Sequence, residues 1–175
     1  SRVAERFSSG RVGRALDLGC AVGRSAFEMS RSAEEVVAID YSHSFVEAAK
    51  VMQADGRCEV DRLEEGHCRE VIVVESPPGA RAGHITFEQG DALDLRKDLG
   101  SFDRVLAANL LCRLSAPALL LRRLPELVRP GGELILTTPC TWLEEFTPET
   151  HWPAGSTFDW LRNELEASFD LLGQH

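Results

Sequence analysis

No C-x-x-C pair occurs among the five cysteines of the 175-residue chain, Cys20, Cys58, Cys68, Cys112 and Cys140, and their number is odd. Such spacing does not support a disulfide framework, and it points to a reducing, cytoplasmic compartment. His67 beside Cys68 has no second ligand pair at metal-binding spacing, so no metal is expected. No apolar run approaches the roughly 20 residues of a membrane span, and Ser1-Arg2-Val3-Ala4-Glu5-Arg6 is not a secretory leader. Basic residues are in the minority. Nineteen Lys and Arg against 28 Asp and Glu leave a formal charge of −9, which argues against nucleic acid, because phosphate contacts need a basic face. Neither an internal repeat nor a low-complexity tract divides the chain. The first residue is not Met, so the expectation is a single domain over 1–175, excised from a longer protein.

What is present is ordinary globular material, 43% hydrophobic and 27% charged, long enough to bury a substantial core. Apolar runs predict strands over 14–18, 35–39, 84–89, 102–107 and 133–138. Helical periodicity lies over 23–31, from 44 onward, over 120–128 and over 156–168. Ser44-Phe45-Val46-Glu47 reads as a capping box, with Phe45, Ala49 and Met52 as the buried stripe behind it. Arg129-Pro130-Gly131-Gly132 reads as a helix stop. Residues 57–63 and 68–74 flank Glu64-Glu65-Gly66-His67, which predicts a β-hairpin insertion near 57–74. Residues 169–172 read as the start of a sixth strand. Alternation of β and α predicts an α/β fold with a doubly wound, mostly parallel sheet.

One pairing carries the most chemistry. Ala15-Leu16-Asp17-Leu18-Gly19-Cys20-Ala21-Val22-Gly23 is an apolar strand entering a glycine turn, and Asp40 stands 21 positions after Gly19 at the end of Val36-Val37-Ala38-Ile39. This is half of a nucleotide-binding βαβ unit, in which the second carboxylate accepts both hydroxyls of a ribose. Ala21 stands where a dinucleotide fingerprint needs glycine, so a nicotinamide-dependent dehydrogenase is a weak rival. The expected ligand is a nucleoside without a pyrophosphate. Gly19, Asp40, Asp91, Asn109 and Thr138 all fall at or just after predicted strand ends, where such sheets take their ligands.

The run Asp17-x-Gly19-x-x-x-Gly23 resembles the first motif of class I methyltransferases that use S-adenosylmethionine (SAM). Gln89-Gly90-Asp91-Ala92 and Leu127-Val128-Arg129-Pro130-Gly131-Gly132 extend the resemblance over roughly residues 14–139. It implies a Rossmann-like methyltransferase fold and S-adenosylhomocysteine as the product. It also implies roles. Asp17 and the turn Gly19, Cys20, Ala21 and Gly23 would surround the methionine part of SAM, and Asp40 would bind the ribose. Tyr41 would pack near the adenosine, Asp91 and Ala92 would read the adenine, and Asn109 and Leu110 would lie beside the cofactor. Plainer readings stay open: a turn or cap for Asp91, a polar strand end for Asn109, half-buried packing for Tyr41.

A narrower resemblance follows from residues 107–114, Ala-Ala-Asn-Leu-Leu-Cys-Arg-Leu, and 141–148, Thr-Trp-Leu-Glu-Glu-Phe-Thr-Pro, together with Phe87-Glu88-Gln89-Gly90-Asp91-Ala92. These are similar to the C-terminal methyltransferase domain of ovothiol synthases, where a sulfoxide-synthase module precedes it. Cys140 departs from the aromatic residue expected there. The resemblance implies methylation of an imidazole nitrogen of 5-mercaptohistidine, a small thiol-histidine substrate, and a C-terminal antiparallel hairpin that 169–172 would begin. On the substrate side, Arg113 is expected to pair with a carboxylate or thiolate. Glu144 or Glu145 would accept from an amino group or orient the ring, Trp142 or Trp152 would stack on it, and His151 would shuttle a proton. Each has an ordinary alternative as a surface ion pair, a solvated charge, core packing or a loop residue. Two further readings stay open: a different small-molecule acceptor, and a SAM-binding domain without catalysis. Asn109-Leu110-Leu111-Cys112 lacks the Pro-Pro-aromatic run of base-modifying enzymes.

Overall fold

Residues 3–173 are described by the computed structural model. Its strands are β1 (Val12–Leu18), β2 (Ala33–Asp40), β3 (Arg57–Glu65), β4 (Cys68–Glu75), β5 (Ile85–Gln89), β6 (Phe102–Ala108) and β7 (Val128–Thr137). The α-helices are α1 (Arg24–Met29), α2 (His43–Asp55), α3 (Pro117–Leu127) and α4 (Thr157–Leu165). One five-stranded sheet runs in the order β5-β2-β1-β6-β7 with every pair parallel, and β3 and β4 form a separate antiparallel ribbon.

A parallel sheet covered on both faces needs strands that are apolar at nearly every position, and β1, β2 and β6 meet that need. Ala15, Val36, Ala38 and Leu106 pack with Ala26, Phe27 and Met29 of α1 and Val46, Ala49 and Met52 of α2. Leu16, Leu18, Val37, Ile39, Val105 and Ala107 point the other way, onto Leu120, Leu121, Leu124 and Leu127 of α3. The period-two alternation thus sorts each strand between two helical layers. Each of the four α3 leucines is essentially inaccessible to solvent, and burial of one such side chain contributes about 1.5–3 kcal/mol.

Several expectations need correction. Helix α2 is capped by Ser42, whose side chain accepts from the Phe45 N–H, and not by Ser44; Glu47 pairs with Lys50 instead of closing a capping box. The earlier start turns Phe45 outward and places Val46 in the core. Helices α1 and α4 are shorter than their periodic stretches: they begin after the caps Gly23 and Ser156 and end at Met29 and Leu165, two and three residues early. β7 begins at Val128, not 133. Val128 pairs with Phe102, and the next partners are Arg104 and Glu133, so Arg129 to Gly132 loop out as a bulge within the strand pair. Residues 169–172 form no strand. Phe169 packs on the α3 layer, while Leu171 and Leu172 remain exposed and no sheet edge takes them up. The hairpin insertion is present as expected, over β3 and β4. No helix among the described residues is long and apolar enough to cross a membrane.

Candidate active site

From β1 the chain winds outward to β2 and β5 on one side and later to β6 and β7 on the other. The strand order therefore reverses between β1 and β6, and open α/β sheets take ligands in the crevice beyond the carboxyl ends at that point. Gly19 follows β1 and Asn109 follows β6, one on each side of it.

The glycine turn is fixed by the backbone of β2 and by one carboxylate. The N–H groups of Gly19 and Cys20 both donate to the Ile39 carbonyl, at 2.8 and 3.1 Å. Ala21 adopts a left-handed φ of 47°, and its N–H donates to Asp40 Oδ2 at 2.8 Å. Asp40 Oδ1 accepts from the Ser42 N–H at 2.9 Å. Asp40 therefore clamps the turn to the start of α2. Each oxygen still has a lone pair free, which suits it to accept ligand hydroxyls as well.

Two glycines in the turn leave room for protein side chains as much as for a ligand. A Cβ on Gly19 (φ +71°) would stand 3.1 Å from Leu110 Cδ1, so Leu110 closes over the turn from the β6 side. A Cβ on Gly23 (φ +88°) would stand 2.7 Å from the Phe87 ring and 3.3 Å from Phe27. Gly23 serves the packing of α1 against β5.

Asp17, near the end of β1, is buried, and its Oδ2 has no hydrogen-bond partner in the protein. Burial pushes its carboxyl from 3.8 up to about 7; the Ala26 N–H opposes the shift and the nearby Asp40 charge adds to it. An unfolded chain at neutral pH has already released this proton, so the native state loses stability as pH rises from about 4 through about 7. We expect Asp17→Asn to stabilise the ligand-free protein at pH 8 relative to its effect at pH 5, by on the order of 2 kcal/mol, in urea denaturation at the two pH values. A pH-independent effect would remove Asp17 as the titrating group. Cys20 is also buried, and desolvation raises its thiol far above the usual range, which leaves it neutral.

The neighbouring strand ends complete the edge. The Gly90 N–H donates to the Asp40 carbonyl at 3.0 Å, which draws the loop after β5 toward the end of β2. Asp91 is exposed there and its Oδ1 accepts from the Leu93 N–H at 2.8 Å, a local turn; Ala92 is half-buried. Tyr41 is 75% exposed. Asn109 has a left-handed φ of 55°, and its Oδ1 accepts from Thr137 Oγ1 at 3.3 Å. The candidates around Asp17, Gly19–Gly23, Asp40, Tyr41, Asp91, Ala92, Asn109 and Leu110 are thus gathered along one edge of the sheet. Ser42 and Thr137 join them, although neither stands out among the sequence candidates. A serine two residues past a strand-ending acid is a readable cap; Thr137 carries no such signal.

The substrate-side candidates fall into two segments that pack on each other. Arg113 lies with its guanidinium 4.2 Å from the centre of the Phe146 ring. Thr147 Oγ1 donates to the Leu114 carbonyl at 2.7 Å, and His151 Nδ1 lies 2.6 Å from the Ser115 carbonyl. That contact makes Nδ1 the donor and leaves Nε2 free. Glu144 and Glu145 are exposed. Both indoles are engaged within the protein. The Trp142 N–H donates to Thr157 and its ring meets Trp160 edge-on at 6.0 Å, while the Trp152 N–H donates to the Thr147 carbonyl.

Known proteins resemble the chain in the same region. Residues 16–136 match a family described as "Methyltransferase domain". A ubiquinone biosynthesis O-methyltransferase of Xanthomonas euvesicatoria pv. vesicatoria is 27% identical over 125 residues, 71% of this chain. The chain spans 42% of the length of that relative. Among solved structures, the N-methyltransferase NodS from Bradyrhizobium japonicum, in complex with S-adenosyl-L-homocysteine, superposes with a TM-score of 0.54 at 19% identity, covering 76% of this chain and 55% of that one. The [4+2]-cyclase SpnF superposes at 0.56 with 25% identity, covering 76% and 41%. The matched residues run from β1 into β7 and include the clamped glycine turn, the acid that clamps it and both sides of the crevice: the chain belongs to the methyltransferase domain family.

Proposed function

We propose that this chain methylates a small molecule, and that the acceptor is an imidazole nitrogen of 5-mercaptohistidine. SAM supplies an electrophilic methyl on a positively charged sulfur. The observation that carries the cofactor assignment is the pair of carboxylates at the crevice: Asp17, buried with one oxygen unpartnered, and Asp40, which still has acceptor capacity. A cation with ribose hydroxyls suits these two acceptors. Asp17 and Gly19–Gly23 would hold the methionine part, Asp40 the ribose, and Asp91 and Ala92 the adenine, with Tyr41 against the adenosine and Asn109 and Leu110 alongside. A bound cation favours ionised Asp17, so SAM affinity should rise as pH passes upward through about 7.

The acceptor assignment rests on the resemblance of residues 107–114 and 141–148 to ovothiol synthases. What supports it is that these segments pack on each other, joined by Arg113 on Phe146 and by Thr147 and His151 on the Leu114 and Ser115 carbonyls. A neutral imidazole is already a nucleophile, so the chain's task is to position it, which supplies up to about 7–11 kcal/mol in good cases. In this reading Arg113 holds the substrate carboxylate and Glu145 orients the ring so that its unprotonated nitrogen attacks the methyl as S-adenosylhomocysteine leaves; His151 then takes up, through its free Nε2, the proton on the other nitrogen of the methylated imidazolium.

The name of the Xanthomonas relative, an O-methyltransferase, favours a second reading, transfer to an oxygen such as that of a phenol. A phenol has a pKa near about 10 and needs a base, which would again be His151. The family match ends at residue 136, before the 141–152 segment, so it bears on the cofactor half more than on the acceptor. Mass spectrometry of reactions containing SAM with 5-mercaptohistidine, histidine and a substituted catechol decides between them. Methylated 5-mercaptohistidine alone is the expected product; methylated catechol alone would sink the imidazole assignment. With the accepted substrate, His151→Gln should lower kcat by about 100-fold with SAM binding unchanged. Unaltered turnover would remove His151 from the reaction.

A further inference from the structure

The hairpin of β3 and β4 takes no part in the site. Helix α2 starts where β2 ends, beside Asp40, and runs back; the hairpin follows it, and β5 then enters the sheet parallel to β2. The hairpin therefore projects from the amino-terminal edge of the sheet, opposite the crevice. Its base is closed by the Ser76 N–H donating to the Gly56 carbonyl at 2.9 Å. Beyond that base it is a two-stranded ribbon, which is marginal in water by itself.

The two strands differ in what their outer edges carry. β3 is studded with charge at Glu59, Asp61, Arg62, Glu64 and Glu65, the usual guard against edge pairing. The centre of β4 is Val71-Ile72-Val73-Val74, with Val71 64% and Val73 56% exposed. Among the described residues β4 pairs only with β3, so its other edge is open along this apolar run.

We propose that β4 pairs antiparallel with β4 of a second copy of the chain and makes a four-stranded sheet across a twofold axis. The charges favour that occupant. With Ile72 on the axis, Val71 of each copy faces Val73 of the other, and Arg69 faces Glu75 at both ends. All of these lie on one face of the ribbon, since residues in odd positions share a side. A shift by one residue in one direction sets Glu70 against Glu75; in the other it sets Arg69 against Val74 and Cys68 against Glu75. The register with Ile72 at the centre matches both charged ends and keeps the valines together. Arg69 is available for this, since its contact with Asp61 is 3.6 Å long and exposed on both sides. The contact is isologous and closes on itself, so it ends at a dimer.

Sedimentation equilibrium of the intact chain tests this. We expect a reversible dimer at concentrations on the order of 10 µM. Val73→Lys places two ammonium groups against valines and should leave only monomer, with the circular dichroism and the SAM affinity of the unaltered protein. Arg69→Glu and Glu75→Arg should each weaken association about tenfold or more by opposing like charges at both ends, and the double exchange should recover most of the loss. A chain that stays monomeric at every concentration overturns the proposal. A dimer indifferent to Val73→Lys also overturns it and moves self-association elsewhere, for example to the open edge of β7. Single variants that weaken the dimer without recovery in the double exchange overturn the register.

Discussion

Asp40→Ala should lower SAM affinity by about 100-fold or more while costing the folded protein only about 1–2 kcal/mol. The asymmetry follows from the geometry. In the ligand-free protein the carboxylate accepts two backbone N–H bonds, from Ala21 and Ser42. Removing it leaves two donors near the surface, where water can replace the carboxylate. With SAM present the same carboxylate would also accept from the ribose, and hydrogen bonds to a charged group are worth about 1.5–3 kcal/mol each. The turn would lose its anchor as well, because the left-handed Ala21 is held through that N–H. Calorimetric titration with SAM and S-adenosylhomocysteine, alongside urea denaturation, separates the two effects. Equal affinity in the variant and the unaltered protein would show that the acid at the end of β2 is structural only.

Gly23→Ala should be the more damaging change to stability, by about 3 kcal/mol. A side chain at φ +88° costs about 1–2 kcal/mol in backbone strain. The added methyl would also stand 2.7 Å from a buried Phe87 ring, and overpacking costs about 1–3 kcal/mol. Gly19→Ala is the control. Its backbone strain is similar, but the obstructing atom is the end of a half-buried Leu110 side chain that can swing away. The expected order of loss in urea denaturation is Gly23→Ala well beyond Gly19→Ala. Phe87→Leu should recover part of the first loss and none of the second, and a double-variant cycle reads that coupling. If Gly23→Ala loses less than about 1 kcal/mol, the helix–strand packing described for α1 is wrong.

The central strands and the cofactor edge are legible in the order of the amino acids alone. Two apolar strands ending in Asp17-Leu18-Gly19 and Ile39-Asp40 can hardly pack other than side by side in a covered sheet, and that placement puts the glycine turn against the acid. The run Val105-Leu106-Ala107 marks the third central strand by the same physics. Legibility is lost where the determining contact is remote in sequence. Ser44 and Glu47 satisfy a local capping rule, yet the end of β2 sets the helix start two residues earlier, at Ser42. Pro130-Gly131-Gly132 carries strong turn chemistry, but Val128 is recruited by Phe102 of the neighbouring strand. Phe169-Asp170-Leu171-Leu172 is apolar enough for a strand, yet Phe169 is drawn onto the α3 layer and Leu171 and Leu172 stay exposed. On the substrate side, Trp142 and Trp152 advertise stacking, whereas their N–H groups hold α4 and the 141–152 segment together.

The mutual packing of residues 111–115 and 141–152 sets a rule for anyone exchanging these stretches between relatives. Thr147 and His151 reach carbonyls of Leu114 and Ser115, and Phe146 carries the Arg113 guanidinium, so each stretch is a template for the other. Transplanting a single stretch from a relative would strand a buried threonine hydroxyl and a bare carbonyl; only the matched pair can be moved, and its Leu111, Leu114 and Trp142 must still fit the core they share with Leu16, Leu18 and Ile39.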